Sequence, residues 1–251
     1  MALDKESLPV LGFVIFGFLV GGVWFFHSSK GRSKEERALR FRKYWSYAFI
    51  VSLSSLFAIC GGYFWLGFIL LLLLLGGIEL IQTLSIGRPV QFFSVLGMFL
   101  LLGILACFSY SILSPKLCLW LYLGIAGFDA FSQIVGQSFG NTKIAPRISP
   151  NKTWEGFMGG LSYLFLFSGF VFSFWGNFSW KCIWILPLFG FLALTGDLAA
   201  SWIKRKVSIK DFSSVLPGHG GFLDRFDSFL FTLSLWTFIS IYFEVFRDPW
   251  N

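Results

Sequence analysis

Long apolar runs are the feature of this sequence that most constrains its fold. A bilayer core of ~30 Å is crossed by a helix of about 20 apolar residues, and runs of that length recur along the 251-residue chain. Charged residues make up only 13% of the chain, whereas a soluble domain carries about 25%. The pattern excludes an ordinary soluble domain and predicts an all-α, polytopic integral membrane protein.

The spacing of the apolar runs predicts about eight transmembrane helices. They are expected near residues 9–27, 44–61, 63–81, 92–112, 117–135, 157–175, 182–201 and 226–246. The second and third runs are divided by little more than Gly61 and Gly62. A ninth helix or a re-entrant segment therefore stays open. The first run is read as a retained helix, because it is too long for a secretory signal and ends without a small-residue cleavage site.

Lysine and arginine are concentrated in loops on one side of the predicted helices. The loops at residues 30–43, 136–156 and 203–221 are strongly basic, and with eight helices they share a side with Arg88. Because basic loops stay in the cytosol, we predict that these loops are cytosolic and that both termini lie on the other face. The net charge of +7 follows mostly from this asymmetry. It indicates anionic headgroups or phosphates as partners and argues against nucleic acid.

Ionisable residues inside predicted membrane helices are costly, and each is a candidate for function. Those of this chain lie toward the cytosolic ends of their helices, at one level of the membrane: Glu79, Asp129, Asp197, Asp224, Arg225 and Asp227. Glu79 is the outlier, because the others belong to the C-terminal half. The common level predicts that the carboxylates of the C-terminal half converge on one site.

Helical spacing groups these acids further. Asp197, Ser201 and Lys204 share one helical face, and Asp224 and Asp227, three residues apart, also project to one side. Carboxylates beside a hydroxyl supply the hard oxygen ligands that suit Mg²⁺. The alternative interpretation is structural, with Asp197 paired to Lys204 or Arg225.

Two of the cytosolic loops carry the remaining candidate residues. Residues 136–156 alternate glycines and prolines with cations and hydroxyls, a composition that can present N–H and ammonium groups to several phosphates. Thr153 can also cap the helix that follows, with Glu155 in its first turn. In residues 201–227, glycines permit close approach of the backbone to a ligand, and His219 is open between a structural and a catalytic role.

Both loops follow fixed patterns of charged residues and glycines. The second loop reads Ser201-x-x-Lys204-Arg205-x4-Lys210-Asp211-x4-Leu216-Pro217-Gly218-His219-Gly220-Gly221-x-x-Asp224-Arg225-x-Asp227. The first reads Lys143-x-x-Pro146-x-Ile148-Ser149-Pro150-x-Lys152-Thr153-x-Glu155-Gly156. These patterns, together with Asp129 and Asp197, resemble the signature of the phosphatidate cytidylyltransferase (CDP-diacylglycerol synthase) family over roughly residues 125–235. One departure is that Asp129 is followed by Ala130, where many members have Thr or Ser.

The resemblance implies an enzyme that transfers CMP from CTP to phosphatidic acid in phospholipid biosynthesis, releasing CDP-diacylglycerol and pyrophosphate. It implies Mg²⁺ held by Asp197 and Asp224 with Ser201 close by, and K⁺ as a helper ion. The residues that it implies for catalysis are Asp197, Lys210, Asp211, His219 and Asp224. The residues that it implies for binding CTP or lipid phosphate are Asp129, Lys143, Ser149, Lys152, Lys204, Arg205 and Arg225.

The resemblance also divides the single membrane domain of residues 1–251. Residues 1–120 are expected to supply N-terminal helices, and residues 121–251 the catalytic helices and cytosolic loops. Expected partners are CTP, phosphatidic acid and membrane lipids, with a homodimer left open. The expected location is a bacterial inner membrane, with the site facing the cytosol.

Three other functions are compatible with a polytopic chain that carries buried charges. The first is a CTP-dependent kinase of a polyprenol or phytol, and the second is the same nucleotidyl transfer to another lipid phosphate. The third, from a different class, is a transporter whose acids serve protons or cations. The fit to the cytidylyltransferase signature argues against the kinase, and transport would not require the Lys-Asp, Pro-Gly-His-Gly-Gly and Asp-Arg arrangement.

Overall fold

The computed structural model describes residues 33–84, 89–175, 180–213, 215 and 220–247, together with nine residues between 9 and 22 that are all helical. Seven long helices lie in the continuous ranges: α1 (Lys34–Cys60), α2 (Gly62–Leu84), α3 (Pro89–Ile112), α4 (Pro115–Phe139), α5 (Trp154–Trp175), α6 (Cys182–Lys206) and α7 (Leu223–Tyr242). A short 3-10 helix, Glu244–Phe246, follows α7. Each helix overlaps one of the last seven predicted spans.

Within the described part of the chain, six helices are long and apolar enough to cross a membrane. They are α1, α2, α3 from Phe93, α4, α5, and α6 from Ile183. The predicted all-α, multi-pass membrane architecture is therefore confirmed. That eight helices cross the bilayer stays a prediction.

The first complete helix begins earlier than the sequence predicted. Residues 30–43 were predicted as a loop, but α1 starts at Lys34 and includes most of the basic residues. Ser33 explains the early start, because its hydroxyl accepts a hydrogen bond from the amide of Glu36 at 3.2 Å. Glu35 and Glu36 lie in the first turn, where acidic side chains stabilise the positive end of the helix dipole.

A glycine separates α1 from α2. Gly61 has a φ of +60°, a left-handed conformation that favours glycine. A Cβ atom at Gly61 would lie 2.5 Å from Cγ of Pro115. The division that the sequence predicted at Gly61 and Gly62 is therefore confirmed, and it is also the point where the first turn of α4 packs against the chain.

Helix α4 lies in the centre of the helix bundle. Its residues from Leu117 to Ile125 are buried without interruption, as expected for a helix covered on all sides. Trp120 anchors it, since its ring stacks on Phe189 of α6 with centroids 5.0 Å apart. The indole of Trp120 also donates a hydrogen bond of 3.0 Å to Ser168 of α5. This rigid packing fixes the position of the acidic residue that follows farther along α4.

The segment between α4 and α5 forms a β-hairpin that the sequence did not predict. Its strands, β1 (Lys143–Ala145) and β2 (Ser149–Thr153), run antiparallel. A turn closes them, in which the amide of Ile148 donates to the carbonyl of Ala145 at 3.1 Å. The hairpin gives the predicted phosphate-binding loop a defined geometry.

The hairpin is fastened to the start of α5. The hydroxyl of Thr153 accepts a hydrogen bond from the amide of Gly156 at 3.1 Å, which confirms the predicted cap. Glu155, in the first turn of α5, accepts a hydrogen bond from the amide of Thr142 at 3.0 Å. These two contacts set the direction in which β2 presents its side chains.

Candidate active site

A lysine of the hairpin contacts an aspartate of α6. Nζ of Lys152 forms an ion pair with Oδ2 of Asp197, and the two side chains are 25% and 21% exposed. The alternative that Asp197 pairs with Lys204 is wrong, because Lys204 binds other acids. Burial alone would lower the pKa of Lys152, but the charges of Asp197 and Asp129 raise it overall above its ordinary value of 10.5. Lys152 is therefore a fixed positive charge beside two acids.

A second lysine lies deeper in the site. Nζ of Lys204, at the end of α6, is 2.7 Å from Oδ1 of Asp224 and 4.0 Å from Oδ2 of Asp227. The side chains of Lys204 and Asp224 are only 9% and 5% exposed. The ammonium also lies 5.1 Å from the ring centroid of Phe212. The predicted common face of Asp224 and Asp227 is confirmed, since both acids reach the same lysine.

The backbone of the loop before α7 wraps around Asp224. Oδ2 of this residue accepts hydrogen bonds from the amides of Phe212 and Gly221, each at 2.8 Å. Gly220 has a φ of +80°, and a Cβ atom there would lie 2.8 Å from the same oxygen. The predicted close approach of glycine backbone is therefore an approach to a carboxylate of the site.

A fourth acid, Asp129, lies beside these two pairs. Its Oδ2 accepts a hydrogen bond of 2.8 Å from the hydroxyl of Ser228 on α7. Its Oδ1 is buried and has no hydrogen-bond partner among the described residues. The charges of Lys152 and Asp197 act directly on this carboxyl. Asp129, which the sequence placed at the same level of the membrane as the other acids, lies beside them.

Arg205 connects the two predicted loops. Its guanidinium donates to the carbonyl of Ile148 in the hairpin at 3.3 Å and to the carbonyl of Ile209 at 2.7 Å. The hairpin and the segment after α6 are thus held together. Ser201 is buried one turn after Asp197, as the predicted face requires.

The remaining predicted residues are less enclosed. Four of them are exposed at the surface of the site segments: Lys143, Lys210, Asp211 and Arg225. Ser149 is half-buried at the start of β2. His219, like Leu216, Pro217 and Gly218, lies outside the described residues.

Comparison with known proteins identifies the family. The model of the cytidylyltransferase family matches residues 9–244. The chain belongs to this family. The resemblance drawn from the two loop patterns is thereby confirmed.

Three bacterial relatives named phosphatidate cytidylyltransferase illustrate the similarity. The protein of Bacillus subtilis is 41% identical over 119 residues, which are 46% of this chain and 44% of that protein. The protein of Rickettsia felis is 39% identical over 122 residues, 45% and 53% of the two chains. That of Aquifex aeolicus is 42% identical over 105 residues, 41% and 39% of the two chains. The chain thus spans about half the length of the curated relatives it matches.

The oxygen atoms of the candidate site would suit a magnesium ion that is shared with phosphates. No cluster of three or more metal-ligating side chains occurs in the described ranges. Mg²⁺ in nucleotide sites usually takes one or two carboxylates and completes its shell with phosphates and water. A carboxylate oxygen has two lone pairs, so Oδ1 of Asp224 keeps one after binding Lys204. One oxygen of Asp197 pairs with Lys152, and the hydroxyl of Ser201 lies on the same face of α6.

Sequence reasoning missed two residues at or beside the candidate site. Ser228, which binds Asp129, lies four residues after Asp224, and that helical spacing could have drawn attention to it. Glu79 was noticed as a buried acid but was given no role. The structure places it against the start of α7.

Proposed function

We propose that this protein transfers CMP from CTP to phosphatidic acid, giving CDP-diacylglycerol and pyrophosphate. The observation that carries the proposal is the convergence of the pairs Lys152–Asp197 and Lys204–Asp224 around Asp129 and Asp227. This arrangement combines the two sequence segments that resemble the family signature. The names of the bacterial relatives support the same reaction.

The reaction needs charge neutralisation more than it needs a base. A phosphate oxygen of phosphatidic acid attacks the α-phosphorus of CTP, and the bond to pyrophosphate breaks. The attacking oxygen is already an anion at neutral pH. The difficulty is to bring two polyanions together and to stabilise charge on the leaving pyrophosphate. We assign this work to Lys152, Lys204 and Arg205, with the exposed Lys143 and Arg225 and the hydroxyl of Ser149 at the entrance.

Asp197, Asp224 and Ser201 would hold Mg²⁺ on the CTP phosphates, with K⁺ as a helper ion. When bound, the metal supplies positive charge at the phosphates and orients them. Asp224 is already fixed in place by Lys204 and two backbone amides. Lys210, Asp211 and His219 are proposed to support activity from the same loop.

The lipid would enter from the bilayer. An apolar cavity between α2, α3, α6 and α7 has Asp227 as the one charged residue in its described lining. Its volume of about 70 Å³ is too small for an acyl chain. The acyl chains would instead lie in the larger apolar cavity of about 650 Å³ between α2 and α3, which Leu70, Ile78 and Leu100 line. The headgroup would then reach Lys204 without leaving the membrane interface.

We further propose that eight helices cross a bacterial inner membrane and that the site faces the cytosol. The distribution of lysine and arginine supports this orientation. Residues 1–120 would form the supporting helices, and residues 121–251 the catalytic part. Whether the protein forms a homodimer can be measured by light scattering of the purified protein in detergent.

The proposal is tested in detergent micelles with α-³²P-labelled CTP, phosphatidic acid and Mg²⁺, following both lipid and aqueous products. We expect label in the lipid together with released pyrophosphate, and neither product after chelation of Mg²⁺. Asp197→Asn should lose most of its activity, whereas Glu244→Gln, in the 3-10 helix outside the site, should retain activity. CDP formed only when a polyprenol or phytol is supplied would instead establish a lipid kinase. Absence of both products would favour the transporter.

A further inference from the structure

Glu79 is a buried acid that the reaction outlined above does not use. It lies in α2 and is only 5% exposed. Its Oε1 accepts hydrogen bonds from the hydroxyl of Ser213 at 2.6 Å and from the amide of Phe222 at 3.0 Å. Its Oε2 accepts one from the amide of Leu223 at 2.8 Å, from a residue 144 positions away. The carboxylate therefore connects α2 to the segment that precedes α7.

These contacts replace the cap that α7 lacks. The first amides of a helix have no partner within the helix, and the residue before α7 is Phe222, whose side chain cannot accept a hydrogen bond. Glu79 supplies the missing acceptor from another helix. Its negative charge also lies at the positive end of the α7 dipole. The position that would attract a phosphate at this helix N-terminus is thus already filled by a carboxylate.

Asp224 of the site binds the same segment. The amides of Gly221, Phe222 and Leu223 are consecutive, and Asp224 binds the first while Glu79 binds the other two. A Cβ atom at Gly221 would lie 2.5 Å from Oε2 of Glu79, so the backbone rests directly on this carboxylate.

Helix α2 makes one more contact with the segment. The hydroxyl of Thr83, one helical turn after Glu79, lies 3.5 Å from the carbonyl of Phe212. The amide of Phe212 binds Asp224. Glu79 itself binds Ser213, the residue after Phe212. Loss of the Glu79 contacts would therefore loosen both segments whose amides bind Asp224, residues 212–213 and 221–223.

We propose that Glu79 is a positioning residue, which fixes the backbone at residues 212–213 and 221–223 so that Asp224 presents Oδ1 to Lys204 and to the metal. Helix α2, one of the N-terminal helices, thereby helps to set the geometry of the site. This inference rests on the proposed function and on its magnesium ion. The hydrogen bonds themselves do not depend on either.

The test compares Glu79→Gln and Ser213→Ala with a matched control, Ser109→Ala. The glutamine variant keeps the size of the side chain but loses one acceptor oxygen and the charge. The Ser213 variant removes a single contact to Glu79. Ser109 is fully buried in α3 and binds Trp65 of α2 at 2.9 Å, away from the loop. Its loss reports on general packing between α2 and α3.

The first measurement is hydrogen exchange of the metal-free protein in detergent, without substrate. Glu79→Gln should increase exchange in peptides that cover residues 212–223, Ser213→Ala should do so to a smaller extent, and Ser109→Ala should leave them unchanged. Wild-type exchange in Glu79→Gln would overturn the proposal. If that variant fails to insert, unchanged exchange in Ser213→Ala overturns it equally.

The second measurement is the Mg²⁺ dependence of CMP transfer. Misplacement of a ligand by a fraction of an ångström should lower turnover about tenfold or more and raise the Mg²⁺ concentration for half-maximal activity severalfold. A smaller folded fraction alone would lower the rate equally at every Mg²⁺ concentration, and that result would contradict positioning. No CMP transfer by the wild-type protein would defeat the proposed function, whereas a normal Mg²⁺ profile in Glu79→Gln beside an active wild type would defeat only this inference.

Discussion

The two lysine–aspartate pairs of the site use the same residue types in different surroundings. The side chains of Lys152 and Asp197 are 25% and 21% exposed, whereas those of Lys204 and Asp224 are 9% and 5% exposed. An ion pair open to water contributes about 0–1 kcal/mol, because solvent screens it. A buried pair is costly to break, since the remaining charge is left without a partner.

The difference distinguishes Lys152–Asp197, whose lysine would change partners when substrate binds, from Lys204–Asp224, whose two side chains stay paired. In the proposed reaction, Lys152, which lies on a hairpin, would turn from Asp197 to a substrate phosphate. Asp224 is also bound by the amides of Phe212 and Gly221, so its orientation is set before substrate arrives. Preorganised charge of this kind is what accelerates phosphate chemistry.

The largest effect is expected from Asp224→Asn. The substitution leaves Lys204 buried without its main partner, at a cost of about 3–5 kcal/mol in stability, and should lower CMP transfer by about 10²–10³-fold or more. We expect the protein still to insert in the membrane. Asp197→Asn should reduce activity comparably but lower the thermal midpoint in detergent much less. Near-normal activity of Asp224→Asn would refute the metal assignment, and equal midpoints for the two variants would remove the contrast between the pairs.

Gly220→Ala should disturb the buried pair through the backbone. A residue with a side chain at a φ of +80° is strained by about 1–3 kcal/mol, and its Cβ would lie 2.8 Å from Oδ2 of Asp224. We expect a lower thermal midpoint and about tenfold lower activity. Gly169→Ala in α5 is the matched control, because a Cβ there meets no atom within 4 Å. Equal behaviour of the two variants would show that the approach to Asp224 is not tight in solution.

A feature could be predicted from the sequence when it depends on residues that are close together in the chain. Helix positions, the cap by Thr153 and the common face of Asp224 and Asp227 depend on neighbours in the chain. They are confirmed, except that α1 begins at Lys34 within the predicted loop of residues 30–43. The resemblance of the loop patterns to a known signature is confirmed by the family match.

The partners across the bundle could not be predicted. Periodicity assigns a residue to a helical face but does not say which helix lies opposite. The alternative partners predicted for Asp197 were therefore Lys204 and Arg225, whereas Lys152 of the hairpin binds it. The role of Glu79 depends on amides 143 and 144 residues away. The hairpin was missed because its strands of three and five residues are too short to show a period-two pattern.

Lys152→Met tests the less buried pair, Lys152–Asp197. We expect about a 10–100-fold loss in kcat/KM for CTP, because a charge-assisted hydrogen bond to phosphate is removed, with a smaller loss of stability than Lys204→Met causes. Lys204→Met should lower stability far more, because Asp224 is then left in a buried site. The measurements are initial rates at varied CTP and thermal midpoints in detergent. If Lys152→Met is as unstable as Lys204→Met, then Lys152 also has a structural role, and the two pairs do not differ.

The smallest effect concerns pH. The acids beside Lys152 hold its pKa above the ordinary value of 10.5. When the pKa of a lysine is higher in the folded than in the unfolded protein, the folded state gains stability. This gain is complete at pH values below the unfolded-state pKa and is lost only as pH rises through the folded-state pKa. Between about pH 6 and 9, Lys152 therefore stays charged, and the difference in thermal midpoint between the wild type and Lys152→Met should stay constant. A difference that shrinks steadily across that range would show that Lys152 loses its proton there. The Lys152–Asp197 pair would then be too weak to keep Lys152 positively charged for substrate phosphates.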